Sequence, residues 1–171
     1  MEQAWKQERH FDNIGEILPK TSKGVTPIRV VLQQKASREV STVDPKTSVF
    51  DALTLMAARN IGALVVMERG RVAGVVSERD YARKVILIGK NSHETTVAEI
   101  MGAPPVTVTT STTVGECLAL MTERFLRHLP VVDEGLLVGL VSIGDLVKAL
   151  LVDQEERLGR IEAYISGTYP A

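Results

Sequence analysis

The sequence predicts a mixed α/β (α+β) fold made of two pseudo-symmetric copies of one unit. Three observations predict it. "GVVSERD", Gly74 to Asp80, recurs as "GLVSIGD", Gly139 to Asp145, 65 positions later. Sliding the chain by that offset aligns 48–80 on 113–145 without a gap and with twelve identities in 33 positions, which marks a duplication. Each copy also shows the same succession: an apolar stripe at helical spacing, two β-rich runs around a glycine, and a second helical stretch.

The elements follow in order. Lead-in segments "TVDPKTS" and "TVTTSTT" end at Ser48 and Thr113. Both belong at N-caps, where a side-chain oxygen accepts from an unpaired backbone N–H. The helical face carries Val49, Leu53, Met56 and Ala57 in copy one, and Val114, Leu118 and Met121 in copy two. The β-rich runs are 64–67 with 72–76 and 129–132 with 137–141, joined by "ERGR" and "DEGL". Glycine there supplies the positive φ of a tight hairpin turn. "YARKVILI" and "LVKALLV" form the closing helices. One unit leaves a sheet face and its helix stripes uncovered, so the copies are expected to pack sheet to sheet.

A short helix precedes each copy. Thr26-Pro27 opens "IRVVLQQK" with proline at the first helical position. Thr96 to Glu99 is a capping-box pattern closed by Gly102, and the polar stretch 89–95 is the linker. With a lead-in strand, the repeats read β-α-β-β-α over 24–90 and 91–152. An extension, 1–23, carries Trp5, Phe11, Ile14, Ile17 and Leu18. A helix and tail, 153–171, continue the apolar row Leu151, Leu158, Ile161 and Ile165.

Composition narrows the function. A net charge of −1 over 171 residues gives no electrostatic reason to expect nucleic acid or an anionic membrane. The longest apolar runs fall far short of the about 20 residues that span a bilayer. "MEQAWKQERH" has no signal-peptide core, and a single cysteine, Cys117, excludes an internal disulfide. A reducing cytoplasm is the expected setting.

"IGALVVMERGRVAGVVSERD" and "RHLPVVDEGLLVGLVSIGDLV" resemble the two halves of a tandem CBS-domain pair, or Bateman module. The resemblance covers roughly 36–152, and the whole chain is similar to small stand-alone bacterial CBS-pair proteins. It implies an adenosine ligand: AMP first, with ADP, ATP, NAD or S-adenosylmethionine as the others, and no metal required. It also implies a homodimer formed as a disc and an effector protein elsewhere.

The repeated heptapeptide suits such a ligand. A helix start offers unpaired N–H groups to a phosphate, and Ser77 or Ser142 adds a hydroxyl. The carboxylate of Asp80 or Asp145 can accept two hydrogen bonds from vicinal ribose hydroxyls. Ser-x-x-Asp before an apolar helix is equally an ordinary capping pattern. By resemblance, the Asp145 site takes Ser142, Ile143, Gly144 and Asp145, with Arg127 and His128 on phosphate. Ile61, Gly62 and Ala63 surround the base, and Thr42 and Val43 line the pocket. The Asp80 site takes Ser77, Arg79 and Asp80 with Thr107 and Val108. The Asp145 site ranks first.

Catalytic chemistry has no constellation here. His10, His93 and His128 accompany no metal-ligand spacing, and Cys117 replaces Ala52 of copy one as a small packed residue. There is no phosphate loop and no nucleophile elbow. The expected function is therefore a non-enzymatic sensor that binds an adenosine ribonucleotide between the repeats. The alternative is a structural partner that binds none.

Overall fold

A computed structural model describes residues 25–35, 37 and 39–165, with 157 and 159–165 described by backbone alone. The apolar positions of the N-terminal extension, His10, and the facing of Ile161 and Ile165 lie outside the described residues. In chain order the first half contains α1 (Ile28–Gln34), β1 (Thr42–Val43), α2 (Val49–Arg59), β2 (Ala63–Glu68), β3 (Arg71–Ser77) and α3 (Glu78–Lys84). The second contains α4 (Val97–Ile100), α5 (Val114–Glu123), β4 (His128–Asp133), β5 (Leu136–Ser142) and α6 (Ile143–Ile165). This is the α/β repeat architecture anticipated.

Local chemistry sets most boundaries. Ser48 accepts from the Asp51 N–H at the start of α2, and Thr113 from the Glu116 N–H at the start of α5. Thr96 and Glu99 form a reciprocal capping box on α4. The hairpins turn on two residues each, Arg69 and Gly70 (φ 49° and 78°) and Glu134 and Gly135 (φ 49° and 80°). Two successive positive φ values give the turn whose twist matches paired strands. Both hairpins slip register at equivalent places, after Val66 and after Val131.

Three details differ from the sequence reading. Pro27 is the N-cap of α1 rather than its first helical residue, with ψ 150°, and its backbone bridges to Thr113. On α2 the buried face is Val49, Ala52 and Met56, while Ala57 is exposed, because the helix rests on its sheet one position earlier. The closing helix of copy one stops at Lys84 and tightens into a 3-10 turn, Ile86–Ile88, whereas its counterpart runs on as α6.

β1 pairs parallel with β2, which pairs antiparallel with β3; β4 and β5 form the second hairpin. The lead-in of copy two repeats the first contact as a single bridge, Val108 to Val131. β3 packs against β4 and β5, so the sheets meet across the pseudo-twofold.

The short helices are exchanged between the cores. Ile28 and Val31 of α1 lie with Val114, Met121, Leu129 and Leu146 of copy two. Val97 and Ile100 of α4 lie with Val49, Met56, Leu64 and Val76 of copy one. The 24–90 and 91–152 segments thus each lend one helix to the other's core.

The exchange explains a glycine in each heptapeptide. A Cβ on Gly74 would meet the Gly102 carbonyl oxygen at 2.7 Å, just past α4, and one on Gly139 would meet the Leu32 Cδ2 of α1 at 2.7 Å. Gly102 is itself hydrogen-bonded to Val75 in both directions, so that backbone cannot retreat. Leu32 can rotate its methyl groups. Gly74→Ala is therefore expected to destabilise by about 1–3 kcal/mol, and Gly139→Ala by distinctly less. Thermal unfolding of the two variants checks the order; equal losses would contradict it.

Candidate functional site

Each hairpin delivers its last serine to a helix start. Ser77 donates through its N–H (3.1 Å) and hydroxyl (2.6 Å) to Asp80 Oδ2, and the Asp80 N–H returns to Ser77 Oγ at 3.3 Å. In copy two the Ser142 N–H and hydroxyl both reach Asp145 Oδ2 at 2.8 Å, and the Asp145 N–H returns at 3.2 Å. The capping role is thus formed in both copies. It leaves the carboxylates in reach: each aspartate side chain is 25% exposed.

Both aspartates line cavities between the repeats. The Asp145 cavity, about 580 Å³, brings together Ser142, Asp145, His128, Ile61, Gly62 and Ala63. The Asp80 cavity, about 610 Å³, brings together Ser77, Arg79 and Asp80. Gly62 and His128 line both, so the cavities adjoin along the pseudo-twofold. Among the described residues no group of three or more His, Cys, Asp or Glu side chains is placed to hold a metal ion.

Other expected residues are placed differently. Arg127 lines the Asp80 cavity, not that of Asp145. The residues before β4 cross over the heptapeptide of copy one, as Ile61–Ala63 cross over that of copy two. Thr42 and Val43 are not among the lining residues; Val40 and Ser41 are. Likewise Val106 lines the Asp80 cavity while Thr107 and Val108 do not, because Val108 is buried in the core of copy two. Ile143 and Gly144 are exposed outside the cavity.

Electrostatics distinguish the carboxylates. Lys35, at the C-cap of α1, donates to Asp145 Oδ2 and to the Leu140 carbonyl, both at 2.9 Å. Three donors thus converge on one oxygen, and Oδ1 takes none of them. Burial pushes the Asp145 pKa up, but the Ser142 N–H, the Lys35 ammonium and the Ser142 hydroxyl outweigh it and hold the pKa below the ordinary value. Asp80 instead meets Lys84 of its own helix, Oδ1 to Nζ 3.1 Å.

Burial depresses the His128 pKa; Lys35 and Arg127 act in the same direction, while Asp145 and Asp80 oppose them. A depressed histidine pKa favours folding above the unfolded value of about 6.5, and that stability is lost as pH falls through the lower folded value. Wild type is expected to lose stability on acidification from pH 6.5, and His128→Ala to lose less. Alanine is the residue that copy one carries here, as Ala63. Parallel pH profiles of the melting temperature would contradict the assignment.

A family model described as the CBS domain matches the chain twice, over residues 32–86 and 97–152. The chain belongs to the CBS-domain family. Among relatives, the pair is 42% identical over 127 residues to the mitochondrial CBS domain-containing protein CBSX3 of Arabidopsis thaliana, a match covering 71% of this chain. It spans 62% of that relative, less than two thirds of its length. With the CBS domain-containing protein YhcV of Bacillus subtilis the identity is 34%, covering 63% of this chain and 76% of the relative. A solved structure of a CBS-domain protein from Burkholderia ambifaria matches with TM-score 0.72 and 49% identity, covering 75% of this chain and 96% of that one. The hexameric CBS-CP12 protein of bloom-forming cyanobacteria matches with TM-score 0.66 and 25% identity, covering 82% and 86%. CBS pairs are in general regulatory modules, and CBS domains generally bind adenosine ligands.

Within this CBS pair, sequence reasoning missed Lys35, which lies 110 positions from its partner Asp145. It also missed Arg83, Lys84, Arg124 and Phe125 around Asp80. Lys84 had a local signal, its i,i+4 spacing from Asp80. The others had none before the repeats were assembled.

Proposed function

We propose that this CBS pair is a sensor that binds adenosine ribonucleotides (AMP, ADP, ATP or NAD) in the clefts between its repeats. The observation that carries it is a part-exposed Ser–Asp pair occurring twice, each lining a cavity of nucleotide size, about 580 and 610 Å³. An acceptor-only carboxylate suits the two donors of a ribose diol. Ligand binding shifts the relative angle of the repeats only as far as its affinity differs between the two arrangements. A partner protein, or a second copy of the chain, reads the change. Association of two copies is supported by the exposed apolar row Ile143, Val147 and Leu151 on α6.

One observation favours the other reading, a structural partner that binds no nucleotide: both capping boxes are complete within the chain. A melting scan with AMP, ATP, NAD and S-adenosylmethionine separates the two. At a hundredfold excess over Kd a ligand adds about 2.7 kcal/mol, a rise of roughly 5–10 °C in a domain of this size. No rise with any of them at millimolar concentration would leave the structural role.

A further inference from the structure

The two cavities match in size and position but not in charge. Five cationic side chains, Arg79, Arg83, Lys84, Arg124 and Arg127, line the Asp80 cavity against two carboxylates, Glu78 and Asp80. Arg29 and Lys35 line the Asp145 cavity against Glu39 and Asp145. The formal balances are therefore plus three (five less two) and zero (two less two), with His128 shared.

Pairing sharpens the contrast. Lys84 is committed to Asp80 and Lys35 to Asp145. Among the described residues, Arg83, Arg124 and Arg127 form no ion pair with a carboxylate. These are guanidinium groups, planar forks that meet phosphate oxygens two at a time. Near Asp145, Glu39 is paired with Arg59, and Arg29 is the one lining cation without an ion pair among the described residues. The remaining polar lining there, Gln33, Ser37, Ser41 and Thr110, is neutral.

The Asp80 cavity also has an aromatic at its edge. Phe125 lines it, is 79% exposed, and is held at φ 54°, a region that bulky side chains seldom adopt. Arg79 Nη1 donates to its carbonyl at 3.4 Å. The equivalent residue of copy one, Asn60 at φ 51°, suits that conformation and is absent from the Asp145 lining.

We propose that the cavities divide adenosine ligands by charge. The Asp80 cavity takes a nucleoside di- or triphosphate, its phosphates among Arg79, Arg83, Arg124 and Arg127. The Asp145 cavity takes a nucleoside with at most one phosphate. This rests on the nucleotide reading above and reverses the expected ranking of the sites for the more highly charged ligands.

Calorimetric titration of the full chain with ATP and with adenosine tests it, since the two share base and ribose. ATP should bind in a mode that Asp80→Asn removes, and adenosine in one that Asp145→Asn removes. The double variant R83A/R124A, altered at two exposed positions, should weaken ATP at least about tenfold and leave adenosine unchanged. Added salt should weaken ATP alone, because the arginines are solvent-screened. Loss of ATP only in Asp145→Asn, or equal weakening of both compounds in R83A/R124A, overturns the division while the nucleotide reading stands. No binding of either compound to the wild-type chain overturns both.

Discussion

Ile28→Ala is expected to destabilise the second repeat by about 2–5 kcal/mol, although residue 28 belongs to the first. Ile28 is fully buried in the core built around β4, β5 and α6, and its removal leaves a cavity lined by Val114, Leu129 and their neighbours. At roughly 2–4 °C per kcal/mol, the melting midpoint should fall by about 4–20 °C. Val25→Ala, nearby but 59% exposed, should change little. Hydrogen exchange locates the damage: protection should fall first in β4 and β5. Loss confined to β2 and β3 would mean that α1 does not stabilise the repeat it rests on.

The second large effect concerns affinity. Asp145→Asn should weaken adenosine-ligand binding in its cavity by at least about tenfold, and Asp145→Ala by up to on the order of a hundredfold, since a hydrogen bond to a charged group contributes about 1.5–3 kcal/mol. The asparagine variant separates binding from capping. Its amide oxygen still accepts from the Ser142 N–H and hydroxyl, so the helix start is kept. What is lost is the charge that holds Lys35 and, on the reading proposed above, would accept from the diol. A part-exposed ion pair of this kind contributes about 1 kcal/mol or less, so the ligand-free protein should melt within a few degrees of wild type. Unchanged affinity in Asp145→Asn would reduce the aspartate to a helix cap.

Acid should act on the same carboxylate in a separate window. Its folded pKa is depressed, so its contribution is present above the unfolded value of about 3.9 and lost as pH falls through the lower folded one. The His128 loss begins nearer pH 6.5, which keeps the two apart in a titration.

Much of the fold is legible in the chain because it is set by short-range chemistry. Serine or threonine with an acid three residues on specifies a helix start where a helical apolar stripe follows, and all the caps named from sequence on α2, α4 and α5 formed. A glycine with one positive-φ neighbour specifies a two-residue hairpin. Where the reading slipped, as at Ala57, the stripe was right in type but its rotation about the helix axis is set by the sheet beneath. The site is legible only in part. Ser77, Asp80, Ser142 and Asp145 announce themselves by repetition, and Gly62 and Ala63 by their small size beside the basic counterparts Arg127 and His128.

Local sequence settled that there are two copies of one unit, where α2, α4 and α5 start and the hairpins turn, and which serine and aspartate each copy presents. Tertiary structure alone decided which core each short helix fills, that Lys35 meets Asp145, and that Arg127 belongs to the Asp80 cavity. The physical reason is the range of the interactions. Caps and turns are satisfied within a few residues, so their pattern is written locally. An apolar stripe or a guanidinium is satisfied by any suitable surface, and only assembly across the pseudo-twofold selects one.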